Sequence, residues 1–125
     1  MNLLIVDDEI DIQHLFQQKF RKEIKAGEVQ IKYAENGNSA LELIQTIDNP
    51  QDYYLLSDIN MPKMNGIELL KRVKILYPKL KVFMITAYGD EDNYQRAKQF
   101  GADDYFTKPL QFDILKQKLN YPDAS

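Results

Sequence analysis

Short apolar runs alternate with longer amphipathic stretches from one end of the chain to the other. The runs are Leu3 to Val6, Val29 to Ala34, Tyr53 to Ser57, Lys81 to Ile85 and Asp104 to Phe106. The first and fourth are almost unbroken in apolar character, as in strands covered on both faces. The second alternates through Val29, Ile31 and Tyr33, which suits a sheet edge. Between the runs the period becomes helical. Ile12, Leu15 or Phe16, Phe20 and Ile24 share one face of a first helix ended by Gly27. Asn36-Gly37-Asn38 turns into a second helix bearing Ala40, Leu41, Ile44 and Ile47, which stops before Pro50. Ile67, Leu70, Val73 and Leu76 line a third, closed by Pro78. Asp90 caps a fourth, thinly patterned through Tyr94, Ala97 and Phe100 and ended by Gly101; Phe112, Leu115 and Leu119 mark a fifth.

Strict alternation of strand and helix predicts an α/β fold with a parallel sheet. A closed eightfold barrel needs about twice this length. The expectation is therefore an open, doubly wound five-stranded sheet of strand order 2-1-3-4-5, with sites beyond the carboxyl ends of the strands where the order reverses.

The chain has 125 residues, 44% apolar and 28% charged, which fits one globular domain. We expect a core over about residues 2–120, with 121–125 ("YPDAS") a tail or the start of a linker. A net charge of −3 argues against nucleic-acid or anionic-membrane binding by bulk charge. The absence of cysteine excludes disulfides, thiolate metal sites and a cysteine nucleophile. The apolar run after Met1-Asn2 is too short for a signal peptide, and none is long enough to span a bilayer, so a cytoplasmic location is expected.

The strand ends carry the chemistry. Strand 1 runs into Asp7-Asp8-Glu9, strand 3 into Asp58, strand 4 into Thr86-Ala87 and strand 5 into Thr107-Lys108-Pro109. Strand 2, remote from the switch point, ends in Ala34-Glu35-Asn36 and offers no matching group. Three carboxylates gathered together repel one another, and a hard divalent cation removes the conflict. Magnesium fits best, with manganese as the alternative. Asp8 and Asp58 are expected as direct ligands with the Asn60 backbone carbonyl, and Asp7 through a water. Lys108 pairs with Asp58 and with an adjacent anion, Thr86 supplies a hydroxyl, and small Ala87 leaves the entrance open. This is equipment for phosphoryl transfer to a carboxylate, giving an aspartyl phosphate on Asp58. The break in "LLSDINMPKMNG" (55–66) follows from it: the loop bends the Asn60 carbonyl back to the metal, with Pro62 and Gly66 fixing the bend.

"LIVDDE" (4–9), "LLSDINMPKMNG" (55–66), "MITAYGD" (84–90) and "DYFTKPL" (104–110) resemble, in order and spacing, the four motifs of the receiver domain of two-component response regulators, a flavodoxin-like fold. The resemblance covers about residues 2 to 120. It implies that Asp58 accepts a phosphoryl group from a phosphohistidine on a histidine kinase or histidine phosphotransfer protein. It assigns Asp7 and Asp8 to magnesium, Thr86 and Lys108 to the phosphoryl oxygens, and Tyr105 to a switch aromatic. It further implies a cis Lys108-Pro109 peptide and a change of the helix 4, strand 5 and helix 5 face on phosphorylation. That face then selects a downstream effector or output domain, or a phosphorylation-dependent homodimer. Asn60 and Tyr88 border the path of the hydrolytic water in this family. A bulky Tyr88 suggests an acyl phosphate lasting minutes or more.

Plainer readings exist for single residues. Asp7-Asp8 suits a helix N-terminus, Thr86 merely ends a strand, and Tyr105 is a half-buried aromatic. Four motifs at the expected strand ends outweigh them. His14, the only histidine, has no partner for metal or nucleophile chemistry and is read as a surface residue, in a kinase-docking face with Ile10 and Leu15. Arg96, Lys98, Lys116 and Lys118 read as solvated helix faces, so no direct nucleic-acid binding is expected. A phosphohydrolase of the haloacid-dehalogenase type would carry DxDxT on strand 1 and a cap. A flavin carrier would need a Ser/Thr/Gly-rich loop where the acids stand. A degenerate, purely binding receiver would lack site residues that are all present. The expectation is a phosphoacceptor signalling domain that catalyses only its own phosphorylation and dephosphorylation, either free-standing or N-terminal to an output domain.

Overall fold

The structure, a computed structural model, describes residues 1–61, 64–87 and 89–119. Its elements are β1 (Asn2–Val6), α1 (Ile10–Lys19), α2 (Arg21–Lys25), β2 (Gln30–Ala34), α3 (Gly37–Gln45), a 3-10 turn (Pro50–Asp52), β3 (Tyr53–Asp58), α4 (Gly66–Leu76), β4 (Lys81–Thr86), α5 (Glu91–Gln99), β5 (Asp104–Thr107) and α6 (Phe112–Lys118). All strand pairings are parallel and the order is 2-1-3-4-5, as the alternation predicted. Pro62, Tyr88 and the 121–125 tail lie outside the described residues. No helix among the described residues is long and apolar enough to cross a membrane.

Alternation along each strand divides the core into two layers. Leu4, Val6, Leu55, Val82 and Met84 face one side, where Ala40 and Ile44 of α3, Ile67, Leu70 and Val73 of α4 and Ala97 of α5 cover them. Leu3, Ile5, Leu56, Phe83 and Ile85 face the other, under Phe16, Phe20, Phe112 and Leu115. The central strands are thus buried on both faces, and β2 forms an edge with only Ala34 fully buried.

The first helix departs from expectation. Its apolar face holds as far as Phe20, which leaves helical geometry (φ −104°, ψ 16°) and divides the segment into α1 and α2. Beyond the break the buried position is Glu23, and Ile24 is 37% exposed. The Lys19 carbonyl at the break accepts a hydrogen bond from Lys116 Nζ at 3.0 Å, and the same ammonium pairs with Glu23. A polar contact with α6 therefore decides which face of α2 turns inward, and apolar spacing alone does not report such a contact.

The starts of α3, α4 and α5 follow their capping residues. The side chains of Asn36, Asn65 and Asp90 accept from the backbone N–H groups of Ser39, Glu68 and Asn93.

Candidate functional site

Sheet register brings the predicted strand ends together. Val6 pairs with Ser57 and Asp58 with Ile85, so Asp7, Asp58 and Thr86 leave neighbouring strands at nearly the same level. Sheet-like bonds continue past the strands: Asp7 N–H to Ala34 O, Ile59 N–H to Ile85 O and Lys108 N–H to Thr86 O, at 3.1, 3.0 and 2.8 Å. These bonds hold the strand ends in place before any ligand arrives.

Asp58 is 3% exposed. Its Oδ2 accepts from Lys108 Nζ at 2.9 Å and its Oδ1 from the Asn60 backbone N–H at 3.2 Å. Carboxylate oxygens of Asp7, Asp8 and Asp58 lie within 4.8 Å of one another. Asp7 is buried and accepts from the Glu9 N–H at 2.9 Å, whereas Asp8 is exposed. Burial pushes the Asp7 carboxyl from 3.8 up to about 6; the Glu9 hydrogen bond opposes that and the Asp58 charge adds to it. Burial works against the Lys108 ammonium, but the hydrogen bond and charge of Asp58, with Asp7 and Glu9 behind it, outweigh burial and raise its pKa above the ordinary lysine value. One ammonium thus faces an excess of carboxylate. Such a set of hard oxygens suits a divalent cation, with Asp7, Asp8 and Asp58 the residues that would hold it.

Thr86 is fully buried, and its hydroxyl alone among the described buried side-chain polar atoms has no hydrogen-bond partner. A buried donor without an acceptor is costly, so it marks a place where a ligand oxygen is wanted. Ala87 beside it is exposed, as is Asn60. The Lys108-Pro109 peptide is cis. Tyr105 is half-buried; its Oη donates to the Asp90 carbonyl at 3.3 Å and its ring packs edge-on against Tyr94, with centroids 4.7 Å apart. Burial raises the phenol pKa, and the neighbouring Thr86 hydroxyl opposes that shift.

Gly66 has a more specific role than closing a bend. It opens α4 directly against the end of β3, with its N–H on the Ile59 carbonyl at 2.8 Å. A Cβ there would stand 2.3 Å from the Asp58 carbonyl oxygen and 2.8 Å from Ile59 Cα. Only glycine admits this approach. The same Asp58 carbonyl accepts from the Ser57 hydroxyl at 3.0 Å.

Sequence reasoning passed over the second layer of the site. Asp90 is read from sequence as a cap and Tyr94 as core, yet both contact Tyr105. These contacts join α5 to the following strand, and the apolar period within either element does not encode them. Also unread is an apolar cleft of about 310 Å³ between α1 and the loop after β5. Ile12, Leu15, Leu110 and Phe112 line it, and Asp7, Glu9 and Lys108 form its polar side.

Comparison with known proteins identifies the family. The family described as "Response regulator receiver domain" matches residues 3–120. The chain is 38% identical over 117 residues to "Sporulation initiation phosphotransferase F" of Bacillus subtilis, covering 94% of this chain and 89% of that protein. It is 36% identical over 120 residues to "Transcriptional regulatory protein ZraR" of Klebsiella oxytoca, covering 96% of this chain but only 26% of that protein. Among solved structures, a CheY-like response regulator receiver domain protein from Methanospirillum hungatei superposes with a TM-score of 0.82 at 29% identity, covering 95% of this chain and 90% of that one. Sequence and fold agree along nearly the whole length, and the chain belongs to the response regulator receiver domain family.

Proposed function

We propose that Asp58 accepts a phosphoryl group from a phosphohistidine of a histidine kinase or histidine phosphotransfer protein, with magnesium held by Asp7, Asp8, Asp58 and the Asn60 carbonyl. The observation that carries this reading is a buried carboxylate at a central strand end, bound by Lys108 Nζ at 2.9 Å and crowded by two further acids.

An Asp58 carboxylate oxygen attacks phosphorus in line with the bond to the imidazole nitrogen. The O–P bond forms as the P–N bond breaks, and the imidazole leaves with the electron pair. Lys108 remains an ammonium throughout and follows the charge from the carboxylate to a phosphoryl oxygen. The unpartnered Thr86 hydroxyl donates to a second phosphoryl oxygen, which supplies the acceptor it lacks. Bound magnesium supplies positive charge against the acidic cluster and the incoming phosphoryl oxygens. Exposed Ala87 leaves room for the donor. The domain catalyses only its own phosphorylation and dephosphorylation.

Docking is assigned to the rim of the site. Ile10 is 60% exposed, His14 is exposed, and the cleft beside Leu15 continues to Lys108. Output is assigned to the α5, β5 and α6 face, with Thr86 and Tyr105 as the switching side chains. The ZraR relative, of which a receiver of this length is about a quarter, supports output through a linked domain. The relative named a phosphotransferase, of nearly this length, supports onward transfer.

The test is intact mass after incubation with magnesium and acetyl phosphate, beside Asp58→Asn and a magnesium-free control. A single phosphoryl adduct requiring both magnesium and Asp58 is expected. No adduct from acetyl phosphate or from a charged phosphotransfer protein would leave a binding module in place of a phosphoacceptor.

A further inference from the structure

The contacts of Tyr105 converge on the first turn of α5. The Asp90 carbonyl accepts two hydrogen bonds: the Tyr94 backbone N–H at 3.1 Å, which opens the helix, and the Tyr105 hydroxyl at 3.3 Å. The residue whose N–H shares that carbonyl also supplies the ring against Tyr105, at 4.7 Å between centroids and 73° between planes. Asp90 is in turn fixed by its own side chain, which accepts from the Asn93 N–H and from Asn93 Nδ2 at 3.3 and 2.7 Å. Lys98 Nζ, one turn beyond Tyr94, stands 5.8 Å from the centre of the Tyr94 ring. Two aromatic residues from the consecutive elements α5 and β5 thus meet at one carbonyl, one through its backbone N–H and the other through its hydroxyl.

The hydroxyl bond of Tyr105 is long and therefore weak, while the ring contact has the edge-to-face geometry that aromatic pairs favour. Only Ala97 of α5 is fully buried, so Tyr94 is a main side-chain link between this helix and β5.

We infer that Tyr94 is a positioning residue for Tyr105: the two rings form one unit whose orientation is set by the first turn of α5. The inference rests on the reading of Tyr105 as the switch aromatic and deepens it. Phosphorylation then reaches the α5, β5 and α6 face through a pair of rings and a shared carbonyl, and Tyr94 sets how strongly the orientation of Tyr105 seen here, packed on Tyr94, is favoured before phosphorylation.

The experiment places 3-fluorotyrosine at position 105 alone and records its fluorine spectrum in wild type, Tyr94→Phe and Tyr94→Leu, with and without beryllofluoride and magnesium as a phosphoryl analogue. Tyr94→Phe keeps the ring and is expected to match wild type. Tyr94→Leu is expected to raise the population of a solvent-like resonance by roughly fivefold, the size that one edge-to-face contact supports. A Tyr94→Leu spectrum equal to wild type would overturn the inference even if the variant melts lower, because a merely structural role changes stability without moving Tyr105. Should Tyr94→Leu fail to fold, Tyr94→Met, which also removes the ring, decides: a spectrum equal to wild type overturns the inference, and a gain in the solvent-like resonance supports it. Beryllofluoride separates the two readings. If it leaves the wild-type resonance unmoved, Tyr105 is no switch; if it moves that resonance but Tyr94→Leu does not, Tyr94 alone is acquitted.

Discussion

Two carboxylates in this molecule are almost completely buried against a lysine, and their surroundings could hardly differ more. Glu23 pairs with Lys116 at 2.5 Å; that ammonium also donates to the Lys19 carbonyl and lies 4.9 Å over the Phe20 ring. Asp58 pairs with Lys108 at 2.9 Å, yet Asp7 and Asp8 crowd the same space. The first lysine serves one carboxylate and closes a break between helices. The second bonds one carboxylate while two more crowd the same space without an ammonium of their own. Buried ion pairs by themselves say little about function. A surplus of like charge around one of them does, because it is stable only in the company of something not yet bound.

The largest contrast should come from removing the lysines. Lys116→Met leaves Glu23 buried and unpaired, and denaturant unfolding should show a loss of roughly 3–5 kcal/mol. Magnesium fixed at ten times the wild-type Kd should add about 1.4 kcal/mol to this variant and to wild type alike. Lys108→Met should gain more from the ion than wild type does, because removing the ammonium strengthens the site's demand for a cation. Equal gains in all three would erase the distinction between the pairs.

Next in size is the strain at Asp7. Its folded pKa of about 6 lies above the ordinary 3.8, so between these values the folded protein binds more protons than the unfolded chain. Metal-free stability should therefore fall as pH rises through that window and level off above it. Asp7→Asn should remove this slope and, at pH 7.5 without metal, stabilise the fold by up to about 3 kcal/mol. Urea titrations of both proteins from pH 4 to 7.5 measure the difference; parallel curves would contradict it.

Smallest of all, Glu23→Met combined with Lys116→Met should leave stability within about 1 kcal/mol of wild type, since apolar contacts replace both charges at once. Thermal melts of the double variant beside Lys116→Met test this directly. A double variant as unstable as the single one would mean that the Lys19 carbonyl, rather than Glu23, is what Lys116 holds.

The contrast also explains what was legible in the sequence. Asp7, Asp8, Asp58, Thr86 and Lys108 are readable because parallel strands place their carboxyl ends at one edge, so order and topology suffice to gather them. Strand order and the two-layer core follow equally from alternation and chain length. Glu23 was not readable: its burial depends on a lysine 93 positions later (116 − 23), and the apolar spacing pointed to Ile24 instead. Tyr94 was not readable either: it meets Tyr105 of the next strand, and the thin apolar pattern of α5 does not say which ring it faces. Gly66 was read as a turn former, whereas what matters is the missing carbon beside Asp58. Periodicity reports which side of an element faces the core, but not which two side chains meet there.

The close seating of Gly66 has a mechanical consequence. Helix α4 rests on the backbone of Asp58 itself, with no side chain between them to act as a cushion. Position 66 is therefore a gauge block: any substituent added there must push β3 and α4 apart and carry Asp58 with them. Even alanine, the mildest replacement, would act as a shim under the Asp58 carboxylate.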